Sequence, residues 1–208
     1  MNLYVSLVAS LPLVRMTEAP QMSYAKFISD CTGQIDAKNL ELLKKLSPVP
    51  GVPPGEKAPA NAAADDPGAL EEFIAEFPKK SLAREYLLFE SALRHSAMKL
   101  RAAKLGAAFA TPKPGYTLFD SEADRAVRTA FSAPNPVERE RILDAARWNK
   151  LDELEAKNLT RFNFDTLCAY SIRIQIAEKW AARAAGNSAE GLDRTVLSVL
   201  ATDPGAQN

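Results

Sequence analysis

The segment from Arg147 to Trp180 limits the possible folds of this chain more than any other part of it. It reads RWNKLDELEAKNLTRFNFDTLCAYSIRIQIAEKW and contains both tryptophans of the chain. A helix end and a short turn lead to Asn163, a good N-cap for a helix over about 164–185 that we expect to end at Gly186. Apolar residues occupy almost its whole circumference, and the polar exceptions share one narrow sector: Ser171, Gln175, Glu178 and Lys179. Such a helix has to be surrounded by others, so the segment predicts an all-α protein with a long central helix.

Arg173 projects from the middle of the apolar side of this helix. A buried guanidinium without a partner is very costly. We therefore expect an ion pair within the chain, with Asp152, Glu153 or Glu155 as its partner; the alternative is a residue reserved for a partner chain. The three acids could instead be catalytic carboxylates, but no companion histidine or Gly-rich phosphate loop accompanies them, which favours a solvated turn.

Capping residues divide the rest of the chain into further helices. Ser23, Asp36, Ser81 and Asn135 each precede a run with helical periodicity, and Asp120 or Ser121 starts another. The predicted helices cover residues 24–30, 37–46, 67–77, 82–105, 121–131, 136–148 (with a possible extension to 154) and 188–200. Residues 3–11 form one more buried element, whose type the pattern leaves open. We predict one domain, residues 1–208, folded as a bundle of about seven to eight helices.

The longest of these helices, 82–105, has two apolar stripes and a basic end. Its apolar residues indicate packing on more than one side. Basic residues without any acid follow: Arg94, His95, Lys99, Arg101 and Lys104. They are either a solvated flank that complements the helix dipole or a docking face for an acidic partner.

Residues 47–68 have a composition that opposes both helix and strand. They contain six prolines and three glycines, which predicts a flexible Pro/Gly/Ala-rich linker or insertion. A polyproline ligand for a partner is the functional alternative.

The charge balance and the cysteine content exclude several classes of function. Lys+Arg and Asp+Glu each total 26, and this neutrality argues against nucleic acid as the main partner. The two cysteines, Cys31 and Cys168, are far apart and the chain has a single histidine, so we predict buried reduced thiols and no metal site. The apolar start of the chain lacks the basic region of a signal peptide, and no run has the ~20 apolar residues of a membrane span.

The segments YVSLVASLPL, EAPQMSYAKFISDC and above all RWNKLDELE and FNFDTLCAYSIRIQIAEKW resemble a family of uncharacterised bacterial proteins. These proteins are encoded with the subunits of bacterial V-type (A/V-type) ATPases. The family is thought to be related to the C/d subunit, a helical socket between the central stalk and the membrane rotor ring. The resemblance is carried by the string Trp148, Leu151, Asp152, Glu153, Leu154 and by the end from Gln175 to Trp180.

The resemblance implies a non-catalytic ATPase component without cofactor or metal. Its partners would be the central stalk and the rotor ring, with membrane contact only through the complex, on its cytoplasmic face. An assembly factor or regulator that leaves the complex is the alternative. An enzyme with a pocket inside the bundle is a third hypothesis, which the lack of a visible acid, base and nucleophile set disfavours. The candidate residues for partner binding or a structural ion pair are Arg94, Lys99, Arg101, Lys104, Asp152, Glu153 and Arg173.

Overall fold

A computed structural model describes residues 4–48, 67–106, 119–158 and 161–201. It contains the helices α1 (Val5–Ser10), α2 (Tyr24–Cys31), α3 (Ala37–Lys45), α4 (Pro67–Ala75), α5 (Leu82–Lys104), α6 (Ser121–Ser132), α7 (Pro136–Lys157) and α8 (Phe164–Ala201). No strand occurs in these ranges, which confirms the all-α class. Most of the predicted linker, residues 49–66, lies outside the described residues.

The helices begin where the capping residues predict them. Each N-cap side chain accepts a hydrogen bond from a backbone N–H of the first turn. The pairs are Ser23 with Lys26, Asp36 with Asn39, Ser81 with Arg84, Asp120 with Glu122 and Ala123, and Asn135 with Glu138. These starts depend on neighbouring residues only, so local sequence is enough to locate them.

The predicted end of the central helix at Gly186 is wrong. Helix α8 continues through this glycine to Ala201, so no separate helix starts at Ser188. Gly186 does not adopt the positive φ of a glycine cap. Alanines precede it and no proline follows until Pro204, so the glycine's cost of about 1 kcal/mol within a helix is tolerated.

Three long helices define the direction of the bundle. Asp165, near the start of α8, accepts a hydrogen bond from the backbone N–H of Leu82 at the start of α5, at 3.1 Å. Further along, Glu90 of α5 binds Arg147 of α7, and Trp180 of α8 binds the neighbouring Asp144, so α5 and α8 run in the same direction. Helix α7 runs antiparallel to both, because Asp152 near its end pairs with the first half of α8 and Asp144 with Trp180 further along.

Helices α2 and α3 cover the other side of α8 through polar contacts as well as apolar ones. Glu178 accepts a hydrogen bond from the backbone N–H of Tyr24 at 2.8 Å. Gln175 is buried and donates to the carbonyl oxygen of Leu46, the C-cap of α3, at 2.9 Å. Two polar residues of α8 therefore bind neighbouring helix ends: Glu178 binds the start of α2, and Gln175 binds the end of α3.

Most of the core surrounds α8. Its buried apolar residues are Leu167, Cys168, Ala169, Ile172, Ile174, Ile176 and Ala177. They belong to the larger of two core clusters, to which α1, α2, α3, α4, α5 and α7 also contribute. The smaller cluster, around Phe89, Leu93 and Val127, joins α5 and α6. Cys31 and Cys168 are buried free thiols, as predicted.

The predicted linker begins inside the packed structure. Ser47 is buried, and the carbonyl oxygen of Pro48 accepts a hydrogen bond from the hydroxyl of Tyr86 at 2.9 Å. Within the described ranges, no helix is long and apolar enough to cross a membrane.

Candidate functional site

The basic run on α5 does not form one continuous face. Arg94 turns inward, where its Nε lies 3.5 Å from Oε1 of the buried Glu90. Arg101 and Lys104 instead lie over the ring of Phe131, while Lys99 is exposed. Lys99 and Arg101 are two positions apart, and such residues point to different sides of a helix. A docking face made of these basic residues is therefore limited to the end of α5, where Arg101 and Lys104 lie.

At that end, three cations converge on one aromatic ring. The Cζ atoms of Arg101 and Arg139 lie 5.9 and 5.0 Å from the ring centre of Phe131, and Nζ of Lys104 lies 5.2 Å from it. Lys104 also donates to the carbonyl oxygen of Phe131, and Arg139 to that of Ala130, both at 3.4 Å. We call Arg101, Lys104, Phe131 and Arg139 the Phe131 cluster.

Arg173 forms the intramolecular ion pair that the sequence predicts. Its Nη2 lies 2.5 Å from Oδ1 of Asp152, and its Nη1 pairs with Glu155. The guanidinium also lies over the ring of Trp148, at 5.4 Å from the ring centre. Glu153 does not take part, because it binds Lys150 at 2.7 Å and Lys157 at 2.5 Å.

Replacing Arg173 by alanine should lower the free energy of unfolding by about 1–2 kcal/mol. The change removes a pair with Glu155 and a stacking contact with Trp148, while the exposed Asp152 contributes little. Urea unfolding of both proteins measures the difference. The surface pair of Arg15 with Glu18 provides a matched control, and Arg15→Ala should have an effect within about 0.5 kcal/mol. Equal losses for the two variants would contradict a special role of Arg173.

A buried network of charges joins α5, α7 and α8. Arg147 donates to both carboxylate oxygens of Glu90, from Nε at 2.8 Å and from Nη2 at 2.9 Å. Its third nitrogen, Nη1, donates to Asp144 at 2.8 Å. The other oxygen of Asp144 accepts from Nε1 of Trp180 at 2.8 Å and pairs with Lys179. We call these five residues the interhelical network.

The network continues towards the start of α7, where it becomes more exposed. Lys179 also lies 3.0 Å from Glu140, and Glu140 binds Arg183. The side chains of Glu90 and Asp144 are 0% exposed, whereas that of Glu140 is 36% exposed. Glu90, Asp144 and Arg147 are therefore shielded from water, and their charges are neutralised by protein side chains instead of solvent.

Burial and ion pairing act against each other on the two buried carboxylates. Burial raises the pKa of Glu90, and Arg147 offsets only part of this effect. Burial also acts to raise the pKa of Asp144, but Arg147 and Lys179 together outweigh it, so that pKa lies below its usual value. The pKa of Arg147 is raised well above normal, because the nearby Glu90 and Asp144 more than compensate for its burial. Arg147 and Asp144 therefore carry fixed charges at neutral pH, as expected of a structural pair.

The stability contributed by Asp144 should depend on pH in a defined direction. Its folded-state pKa is lowered, so its contribution is complete above the unfolded value of about 3.9 and is lost as the pH falls through the folded-state pKa. The destabilisation caused by Asp144→Asn should therefore be largest at about pH 7 and shrink below about pH 4. Thermal melts of both proteins across this range measure the change.

Asp124, which pairs with Arg128 on the surface, gives a control for the pH series. The effect of Asp124→Asn should stay within about 0.5 kcal/mol at each pH. A loss for Asp144→Asn that is constant from neutral to acidic pH would contradict the assignment of a lowered pKa.

The sequence alone does not predict the interhelical network, although two signals point to it. On the wheel of α5, Glu90 lies between the two apolar stripes rather than on a polar face. On α7, Asp144 and Arg147 stand seven residues before the buried Leu151 and Leu154, in the same rows. A charge inside an apolar row indicates a buried pair, but these signals do not identify its partner.

A groove with a volume of about 360 Å³ lies along α6 and α7. Phe89, Ala126 and Ile142 form part of its apolar lining, and Lys150 and Glu153 are among its charged residues. Lys150 and Glu153 already pair with each other at 2.7 Å. Arg173 and its partners Asp152 and Glu155 do not line this groove.

Groups of histidine, cysteine and acidic residues arranged to hold a metal are absent from the described ranges. Comparison of this chain with protein-family models, with curated proteins and with solved structures finds no match.

Proposed function

We propose that this protein is a non-catalytic helical component of a bacterial V-type ATPase that acts by docking to other subunits. The observation that carries the non-catalytic part is the mutual neutralisation of the buried charges. Each of Glu90, Asp144 and Arg147 is bound by at least two partners within the chain. A general acid, a general base or a nucleophile has to reach a substrate, and groups enclosed in this way do not.

The same network suits a part that has to transmit force. A guanidinium bound to two carboxylates fixes α5 against α7, and Trp180 and Lys179 fix α8 against α7. Charge-assisted, bidentate hydrogen bonds have a defined geometry, so sliding one helix past another would break several at once. A rigid bundle of this kind is compatible with a place between the rotating stalk and the rotor ring.

The resemblance of RWNKLDELE and of FNFDTLCAYSIRIQIAEKW to proteins encoded with V-type ATPase subunits supports the identity of the partners. The proposed role is that of a C/d-like subunit coupling the central stalk to the membrane rotor ring, on its cytoplasmic face. Membrane contact would occur only through the complex.

Purification of an affinity-tagged chain in mild detergent tests this proposal. Central-stalk and rotor-ring subunits should co-elute with the chain and remain with it through a second, size-based step. Recovery of the chain without any ATPase subunit would contradict the proposal.

An assembly factor or regulator that binds the same subunits without staying in the complex is the second candidate. The same resemblance favours this candidate. It differs from the first only in that the protein does not stay bound to the finished complex. Quantitative mass spectrometry of the intact ATPase separates the two. A permanent subunit is present at a fixed ratio to the central stalk, whereas an assembly factor is depleted from the finished enzyme.

A further inference from the structure

We propose that the Phe131 cluster is a docking site for a carboxylate-rich segment of another protein. This inference deepens the proposed function, since it rests on the chain acting by docking, but it does not require the partner to be an ATPase subunit. The site is built by three helices: Arg101 and Lys104 come from the end of α5, Phe131 from the end of α6, and Arg139 from the first turns of α7.

The cations of this cluster have no carboxylate partner among the described residues. No acidic oxygen lies within 4 Å of Arg101, Lys104 or Arg139 in the part of the chain that the structure covers. The acids beside Arg139 are occupied elsewhere: Glu138 binds Arg141 at 2.7 Å, and Glu140 binds Lys179 at 3.0 Å. Residues 107–118 contain no aspartate or glutamate. Three like charges therefore meet without a neutralising anion from the described residues.

The contacts that these cations do make leave room for an acidic ligand. The face of an aromatic ring attracts a cation, and carbonyl oxygens at a helix end accept its hydrogen bonds, but neither removes the positive charge. Arg101 and Lys104 are exposed, and Phe131 is half-buried. A carboxylate approaching the ring edge would meet two guanidinium groups and one ammonium group that are already oriented.

An exposed apolar residue beside the cluster indicates the composition of the ligand. Leu105 is 81% exposed and follows Arg101 by four residues, so it lies on the same side of α5. A segment that carries both acidic and leucine-like side chains would satisfy the cations and cover this apolar group. Such a combination is typical of an amphipathic acidic helix.

Two other anionic partners fit the geometry less well. Nucleic acid requires many phosphate contacts along an extended basic surface. In this cluster the three cations surround one aromatic ring, and the chain has no net charge. A membrane surface is bound by four to eight basic residues that face anionic headgroups together, about twice the number present here. The cluster is better matched to one or two carboxylates of a protein.

A fluorescein-labelled synthetic peptide of repeated Glu-Glu-Leu units is the probe, with binding measured by fluorescence anisotropy at low ionic strength. The wild-type chain should bind it, and the double variant Arg101→Gln, Lys104→Gln should bind it about tenfold more weakly. The matched control Lys38→Gln, Lys79→Gln removes the same charge from exposed lysines elsewhere and should stay within about twofold. Thermal melts of all variants confirm that each is folded.

Three results would overturn the inference. The first is no binding of the peptide by the wild-type chain. The second is an equal weakening of peptide binding in both double variants. The third is cluster-dependent binding to phosphatidylserine vesicles without binding of the peptide, which would assign the site to lipid.

Failure of this inference can be told apart from failure of the proposed function. If ATPase subunits co-purify with the chain but the peptide does not bind at the cluster, the docking site is wrong and the function stands. If no ATPase subunit co-purifies while the peptide binds at the cluster, the site stands and its partner lies outside the ATPase.

Discussion

Arg147→Met is expected to lower the free energy of unfolding by about 3–5 kcal/mol. The substitution keeps most of the apolar volume of the side chain but removes the charge that neutralises Glu90. That carboxylate is 0% exposed, and its remaining cation, Arg94, is 3.5 Å away, compared with 2.8 and 2.9 Å for the two bonds to Arg147. Asp144 would also lose one of its three partners. Urea unfolding followed by circular dichroism measures the loss.

A surface arginine on the same helix provides the control for this prediction. Arg141 forms a two-bonded pair with Glu138, yet its side chain is 55% exposed. Arg141→Met should change stability by no more than about 0.5 kcal/mol, because water replaces the lost partner on both charges. A loss for Arg147→Met no larger than that for Arg141→Met would show that the network is not stabilising the bundle.

Phe27→Ala is expected to cost about 3–5 kcal/mol. Phe27 is 0% exposed, and its ring centre lies 5.0 Å from that of Tyr170, so it is an apolar link between α2 and α8. Helix α2 has only eight residues, and a helix of this length is held by packing rather than by its own hydrogen bonds. The cavity left by the ring would therefore loosen α2 as well as reduce burial.

Two other substitutions serve as comparisons for the stability loss expected of Phe27→Ala. Phe27→Leu keeps much of the buried volume and should cost clearly less than the alanine variant. Phe162→Ala removes a ring that is 40% exposed and should stay within about 1 kcal/mol of the wild type. Similar melting temperatures for Phe27→Ala and Phe162→Ala would contradict the burial of Phe27 in the core.

Helix starts and the Arg173 pair could be predicted because both depend on short-range information. Each cap is decided by the side chain of one residue and the backbone two or three positions later. Arg173 and Asp152 are 21 residues apart, on two helices separated by only six residues of the sequence. Antiparallel packing of such neighbours brings these two positions together without any knowledge of the remaining fold.

The interhelical network could not be predicted in the same way, because its partners are distant in the chain. Glu90 and Arg147 are 57 positions apart, and a residue range outside the described structure lies between their helices. Which acid meets Arg147 depends on the relative shift of α5 and α7 along their axes, and a shift of one turn would replace Glu90 by another residue. Tertiary packing alone decides that register.

The length of α8 is the opposite case, because the surrounding sequence overrides a local signal. Glycine often ends a helix because it adopts a left-handed conformation easily. Gly186 lies after a run of alanines with high helix propensity, and the conformation it adopts has no positive φ. A glycine cap thus requires a favourable continuation of the chain beyond it, and the residues from 187 onward do not supply a stop.

A double-mutant cycle between Glu90 and Arg147 tests most directly whether the buried charges are used to hold the bundle together. The free energies of unfolding are measured for wild type, Glu90→Met, Arg147→Met and the double variant. Each single variant removes the main partner of a buried charge: Glu90 keeps Arg94 at 3.5 Å, and Arg147 keeps Asp144 at 2.8 Å. The double variant replaces the pair by apolar side chains of similar size. We predict a coupling energy of at least about 2 kcal/mol, with the double variant more stable than either single variant. Effects that add to within about 0.5 kcal/mol would contradict a structural pair and leave these groups available for another role.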